Sequence, residues 1–447
     1  MRAKQVWSTT GVVALTGALL LTSAPTASAD YVRDQQWVLD AYKMDATWAL
    51  TQGEGVTVAV VDSGVDGSHP DLTGQVLQGK DFTGGGNAQE DVAGHGTGMA
   101  SLIAGHGHGA GNNAGMVGLA PKAKILPLRV LQNKDDDFED DTWGEAVRYA
   151  VDNGAKVINL SLGDEGGGRT LPSGREAIAY AQAHDVVVVA AAGNEGALTV
   201  IEPAALPGVV SVGAVDSEGN LWDKSNIGKG LTLVAPGVEI VTANSNRSDG
   251  YSLSTGTSDA TAYVSATAAL VRAKYPDLTA GQVINRLIKS ASFLHHKGLK
   301  APDREYGYGI IRPNKALTMD IPAGPKKNPL GQMSSSSSTS SQSSKGTSSS
   351  TQAKKRFSSS NFLVLAGGIA AVVVIGAIAF VVVRSRRNGG NGGNGSGAGG
   401  GGLQYPAYPP AQQSYPNSGS NQGYPTPPGQ APQHPNPYSQ QPPHQGW

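Results

Sequence analysis

Asp62, His95 and Ser258 are an acid, a base and a nucleophile, each in a glycine-bearing turn beside an apolar run. They stand in Val60-Val61-Asp62-Ser63-Gly64, Gly94-His95-Gly96-Thr97 and Gly256-Thr257-Ser258. A serine hydroxyl is a weak nucleophile until an imidazole takes its proton, and a carboxylate can hold that imidazole in the useful tautomer. Asp, His, Ser is one of three chain orders in which this constellation recurs on unrelated folds. Asn194, in Ala191-Ala192-Gly193-Asn194, adds a side-chain amide of the kind that stabilises an oxyanion. Each segment alone is usually structural. All four in order imply acyl transfer through Ser258, the chemistry of peptide hydrolysis.

Groups so far apart in sequence need a rigid frame to meet. Apolar runs of strand length recur at Val56–Val61, Lys124–Leu131, Val157–Leu162, Val186–Ala192, Val209–Val215 and Leu231–Ala235. Unbroken β-branched runs suit a parallel sheet buried on both faces. Helix-like stretches alternate with them, at Thr142–Asn153, Arg175–His184 and Thr261–Lys274. The pattern predicts a three-layer α/β fold with a mostly parallel central sheet. Asp62 then ends a strand, at the sheet edge where such folds place ligands. His95 and Ser258 each stand just before an apolar helical stretch, near a helix N-terminus whose free N–H groups favour negative charge on a substrate oxygen.

Composition confines this fold to one part of the 447 residues. Net charge is −1, so no electrostatic case for nucleic acid exists. Cysteine is absent, which removes disulfides, thiolate metal sites and cysteine nucleophiles together. Arg2 and Lys4 precede an apolar run, Val12 to Leu21, and Ala27-Ser28-Ala29 offers a small-residue cleavage site. Residues 1–29 are thus expected to be a signal peptide. Residues 30–320 have the composition of a folded domain with a short N-terminal arm. A Ser/Pro-rich linker, 321–361, should be an extended tether. Residues 362–383 carry no charge and are long enough to cross a bilayer as one helix. Residues 384–447, rich in Gly, Pro, Gln and Tyr, read as a disordered tail or a docking site for an intracellular partner. Basic residues flank the span on both sides, so the leader sets the orientation: domain outside, one span in the cell membrane, tail in the cytoplasm.

The three turn segments, with Gly94-His95-Gly96-Thr97-Gly98-Met99-Ala100 in full, resemble the signature blocks of subtilisin-like serine proteases. The resemblance covers about Gln36 to Leu317 and implies a subtilisin-like fold. It implies that Asn194 and the Ser258 N–H hold the tetrahedral oxyanion. It also implies that Ser161, Leu162 and Gly163, in Val157-Ile158-Asn159-Leu160-Ser161-Leu162-Gly163, pair with substrate backbone and line the primary specificity pocket. Leu233-Val234-Ala235-Pro236-Gly237 and Tyr306-Gly307-Tyr308-Gly309-Ile310 are similar to later family segments. No cofactor and no metal are implied.

After the nucleophile the chain departs from the family. Asp259-Ala260-Thr261-Ala262 stands where Met or Phe, Ala, any residue and Pro are usual. The lost proline removes a rigid helix-start residue but no reacting group. A carboxylate at 259 suits a first helical turn, yet it could oppose an oxyanion or raise the pKa of His95. The expectation is that Asp259 points away from the reacting atoms and that activity survives.

The short arm, protease domain, linker and single span together look like the mycosins, membrane-anchored proteases associated with type VII secretion in actinobacteria. That resemblance implies a protein or peptide substrate and contact with secretion components. The long tail and missing cysteines depart from the commonest mycosin pattern. Two other classes fit the architecture: a catalytically weak or inactive structural subunit of the secretion complex, and a binding module on a surface tether. Neither needs all of Asp62, His95, Asn194 and Ser258. The acidic run Asp135–Asp141 admits three readings: a solvated loop, a subsite favouring Lys or Arg, or a calcium site. His106 and His108 have no evident third ligand and read as part of a glycine-rich loop.

Overall fold

The computed structural model describes residues 27–131, 140–163, 170–294 and 296–333. Most of the expected leader, the span at 362–383, the tail and most of the acidic run lie outside these residues. Among the described residues no helix is long and apolar enough to cross a membrane.

The strands are β1 Thr57–Asp62, β2 Lys80–Asp81, β3 His106–His108, β4 Ala114–Val117, β5 Lys124–Arg129 and β6 Val157–Leu160. They continue with β7 Val187–Ala191, β8 Val210–Val215, β9 Leu233–Pro236, β10 Ile240–Ala243 and β11 Tyr251–Ser254. Seven of them form a sheet in the order β2-β5-β1-β6-β7-β8-β9, and every pairing is parallel. β3 with β4 and β10 with β11 make separate antiparallel pairs. The six apolar runs of the sequence are six of the seven central strands. The seventh, β2, has two residues and no period to detect.

The helices are α1 Ala27–Asp34, α2 Trp37–Ala41, α3 Met44–Trp48, α4 His95–Ala104 and α5 Asp140–Asp152. After them come α6 Pro172–Ala183, α7 Thr257–Lys274, α8 Ala280–Ser290 and α9 Pro313–Thr318. Successive β1 residues point to opposite faces. Val58 and Val60 enter one core with α4 and α7 residues such as Leu102, Ile103, Val264 and Leu270. Ala59 and Val61 enter the other, with Trp143 and Val147 of α5 and Ile178 of α6. Each fully buried valine or leucine contributes about 1.5–3 kcal/mol, so a doubly covered sheet is a stiff frame.

Helix α7 is buried along almost its whole length, although it is rich in Ala, Ser and Thr. Its hydroxyls are satisfied locally: Thr261 Oγ1 donates to the Thr257 carbonyl and Thr267 Oγ1 to that of Tyr263. The N-terminal arm is fastened to the β3–β4 hairpin. Arg33 Nε donates to the Gly115 carbonyl at 3.0 Å, and Gln36 exchanges hydrogen bonds with both backbone groups of Val117.

The first residues of the segment that composition assigns to the linker make hydrogen bonds to the domain. Gln282 Nε2 donates to the Gly324 carbonyl, Asn328 Nδ2 to that of Gly208, and the Met333 N–H to Gln182 Oε1. Residues 321–333 therefore run along the domain, held by polar contacts that leave no apolar period in sequence.

Candidate active site

The carboxyl ends of β5, β6 and β7 and the first turns of α4 and α7 surround one cleft of about 280 Å³. Leu131 borders it after β5, Ser161, Leu162 and Gly163 after β6, and Gly193 and Asn194 after β7. His95 and Ser258 enter from the two helices.

Asp62 ends β1 and is fully buried. His95 opens α4, with its Nδ1 at 2.8 and 3.0 Å from the two Asp62 oxygens. A carboxylate only accepts, so Nδ1 carries the proton, which leaves Nε2 of the neutral ring as an acceptor. The approach depends on Gly96, where a Cβ would collide with the Gly64 carbonyl and press on Asp62. Ser63 braces Asp62: its N–H donates to Oδ1 at 2.8 Å.

Asp91 was not singled out from sequence. Its Oδ1 accepts from Ser63 Oγ and from the N–H groups of Ala93 and Gly94, and its Oδ2 from the Thr97 N–H. It thus satisfies the exposed donors at the start of α4 and fixes the turn that carries His95. An acid just before an apolar helical run was the available signal.

Asn194 is oriented by α7. Its Oδ1 accepts from both the N–H and Oγ1 of Thr257, each at 2.9 Å. A backbone N–H can only donate, so the amide oxygen is spoken for and Nδ2 is the end left to donate into the cleft. The Ser258 N–H, in the first turn of α7, has no carbonyl one turn back to reach. Gly193 takes a φ of 113°, and a side chain there would run into Asn226. Asn226 is itself buried and accepts from the Glu195 and Ala197 N–H groups.

A buried polar chain ties the nucleophile to the opposite wall. Ser265 Oγ donates to Asn159 Oδ1, Asn159 Nδ2 to Ser161 Oγ, and Ser161 Oγ to the Ser258 carbonyl at 3.1 Å. Asn159, Ser265, Asn226 and Asp91 all support neighbours, a role that isolated motifs do not reveal.

The third link of the constellation is not made in this geometry. Ser258 Oγ lies 3.4 Å from the Ser161 carbonyl oxygen, and among the described residues no hydrogen bond joins it to His95. Such contacts are often long in unliganded sites and tighten around substrate.

Asp259 lies in the first turn of α7. It makes no hydrogen bond to His95 or the Ser258 hydroxyl, but it does not face solvent either: it is fully buried and accepts from Ser254 Oγ at 2.8 Å. Its charge reaches His95. The ring has 37% of its side-chain surface accessible, yet the surrounding protein desolvates it, which favours the neutral form. The Asp62 charge and hydrogen bond, then the charges of Asp259 and Asp91, outweigh that and raise the pKa to about 9.

The two histidines of the glycine-rich loop are engaged elsewhere. His108 Nδ1 lies 2.5 Å from buried Asp71, and His106 Nε2 lies 2.9 Å from the Thr73 carbonyl oxygen. Among the described residues no cluster of three or more potential ligands could hold a metal ion.

A parallel α/β sheet with these segments at one edge defines a subtilisin-like fold. Residues 53–309, more than half of the chain, match the subtilase family of peptidases, and the chain belongs to that family. It is a subtilisin-like serine endopeptidase. It is 40% identical over 254 residues to the thermophilic serine proteinase of Bacillus sp. (strain AK1), covering 56% of this chain and 61% of that protein. Subtilisin DY of Bacillus licheniformis is 37% identical over 257 residues, covering 56% of this chain and 89% of that one. Among solved structures, MycP1 with its N-terminal propeptide removed superposes with a TM-score of 0.56 at 32% identity. That match covers 65% of this chain and 99% of the other. The MycP3 protease from the type VII (ESX-3) secretion system gives 0.54 at 33%, covering 64% and 88%.

If Asn194 Nδ2 meets the oxyanion, Asn194→Ala lowers kcat by about 10²- to 10³-fold with little change in KM. Steady-state kinetics on a peptide substrate check this. A rise in KM at constant kcat would assign Asn194 to ground-state binding instead.

Proposed function

We propose that this protein is a membrane-anchored serine endopeptidase that cleaves peptide bonds through Asp62, His95 and Ser258 and acts on or within a type VII secretion system. The observation that carries the catalytic part is one cleft lined by His95 with buried Asp62 at its back, by the Asn194 amide with its oxygen spoken for, and by Ser258 on a helix N-terminus. A change of Ser258 χ1 turns Oγ from the Ser161 carbonyl toward His95 Nε2. Oγ then attacks the scissile carbonyl as His95 takes its proton. Asn194 Nδ2 and the Ser258 N–H hold the oxyanion, and His95 protonates the leaving amine. Water, deprotonated by His95, hydrolyses the acyl-enzyme. Ser161, Leu162 and Gly163 line the wall along which the substrate backbone would lie.

The secretion role is supported by likeness to MycP1 and MycP3, and MycP3 is described as a protease of a type VII system. The anchor is supported by the uncharged run at 362–383, and the outward-facing domain by the leader at 1–29. A second reading, a catalytically weak structural subunit of the secretion complex, is favoured by the Ser258 hydroxyl facing the Ser161 carbonyl.

The test is a fluorophosphonate probe on the full-length protein in membranes, with secretion measured in the same cells. The endopeptidase reading expects labelling of wild type and none of Ser258→Ala. It also expects new peptide termini in the surface proteome that vanish with that variant. Unlabelled wild type, with secretion intact in Ser258→Ala, would leave the structural-subunit reading standing.

A further inference from the structure

Asp259, next to the nucleophile in sequence, is a buried carboxyl group that the proposed chemistry does not use. It lies in the first turn of α7 with no accessible surface. Its Oδ2 accepts from Ser254 of β11, and among the described residues its Oδ1 has no hydrogen-bond partner. A buried carboxylate with an unmet oxygen resists ionisation unless a cation is near. The titratable groups facing it are His95, from α4, and Tyr263, one turn along α7.

The charges of three carboxylates, Asp62, Asp259 and Asp91, in turn act on His95. Two are committed elsewhere. Asp62 holds the ring at Nδ1, and Asp91 receives protons from Ser63, Ala93, Gly94 and Thr97. Among the described residues Asp259 has only the Ser254 hydroxyl and its own helix start, and the imidazolium is the one positive side chain there that answers its charge.

We propose that Asp259 is a positioning residue acting through charge: it favours the protonated form of His95 and so restrains hydrolysis at neutral pH. The inference rests on the catalytic reading of His95 given above. Burial raises the Asp259 pKa, opposed by the Ser254 hydrogen bond and the His95 charge, and leaves it at about 7. With His95 raised to about 9, the interval between these values holds a charged Asp259 beside a charged His95. Attack needs the neutral imidazole, so the rate climbs only as pH approaches the upper value. The two groups titrate as a coupled pair.

The experiment measures fluorophosphonate inactivation of the full-length protein against pH. Wild type should show an acid limb on the alkaline side of neutrality. Asp259→Asn should move that limb down by about one unit, which speeds labelling at pH 7 about tenfold and leaves the alkaline plateau unchanged. Ser254→Ala removes the donor that favours the charged carboxylate. It should move the limb the same way by less, and it decides the question if Asp259→Asn fails to fold. A limb that stays in place in both variants overturns the proposal. So does a uniform loss of rate at all pH, which a purely structural role would give. Histidine NMR of Ser258→Ala, with and without Asp259→Asn, reads the His95 titration without turnover. A downward move supports the coupling even if wild type is never labelled, an outcome that would sink the hydrolase reading alone.

Discussion

Ser258→Ala and His95→Ala should each lower kcat by about 10⁶-fold, and the double variant should lower it little further. The nucleophile and base serve one proton transfer, so either loss removes the same step. Without His95, the Ser258 hydroxyl attacks as a neutral alcohol. Without Ser258, the imidazole can only activate water that nothing holds in place. Asn194 and the Ser258 N–H survive both changes, because Thr257 fixes the amide without help from either side chain. A residual rate about 10³- to 10⁴-fold above that of water is therefore expected. Single-turnover kinetics on one peptide substrate would check the triplet of variants. Losses that add across the double variant would mean that the two residues act in separate steps.

The frame was legible because its signal is local and strong. Runs such as Val56–Val61 and Val209–Val215 became β1 and β8 within a residue at either end, as β-branched stretches buried on both faces should. Helix starts were less legible. The sequence pattern places one helix at Thr261, whereas α7 begins at Thr257, because Thr, Ser and Asp in a first turn look like loop residues to a hydrophobic period. The same masking hid the N-terminus of α6, three residues before Arg175, although a proline opens it. Helix α8 was missed despite a readable signal, the reciprocal capping of Thr279 and Gln282.

At the site, the chemistry-bearing groups were found because their types and order are unusual together. The groups that hold them were not. Asn159 and Ser265 meet across 106 positions, a pairing that only folding creates. Asp259 shows the limit most clearly. An acid in a first helical turn ordinarily faces water, and its burial follows from the β10–β11 hairpin bringing Ser254 against α7. Neither that contact nor the rotamer of Ser258 leaves a trace in composition or spacing.

Asp62→Asn should lower kcat by about 10⁴-fold without unfolding the protein. The carboxylate is buried and accepts from His95 Nδ1 and from the Ser63 N–H, while Ser63 Oγ, 3.2 Å away, has a single proton and lies closer to Asp91, at 2.7 Å. Asparagine keeps the shape but offers one oxygen. The Ser63 backbone N–H cannot move and claims it, which turns the amide NH₂ toward His95. Nδ1 must then accept, Nε2 carries the ring proton, and the base has nothing left with which to deprotonate Ser258. The pH profile separates this variant from Asp259→Asn. Both remove a negative charge near the ring, so both move the acid limb downward. Only Asp62→Asn also collapses the plateau, because at high pH the imidazole is neutral in the wrong tautomer. A plateau within tenfold of wild type would show that Asp62 supplies charge alone and that Gly96 and the Asp91-capped turn suffice to aim the ring.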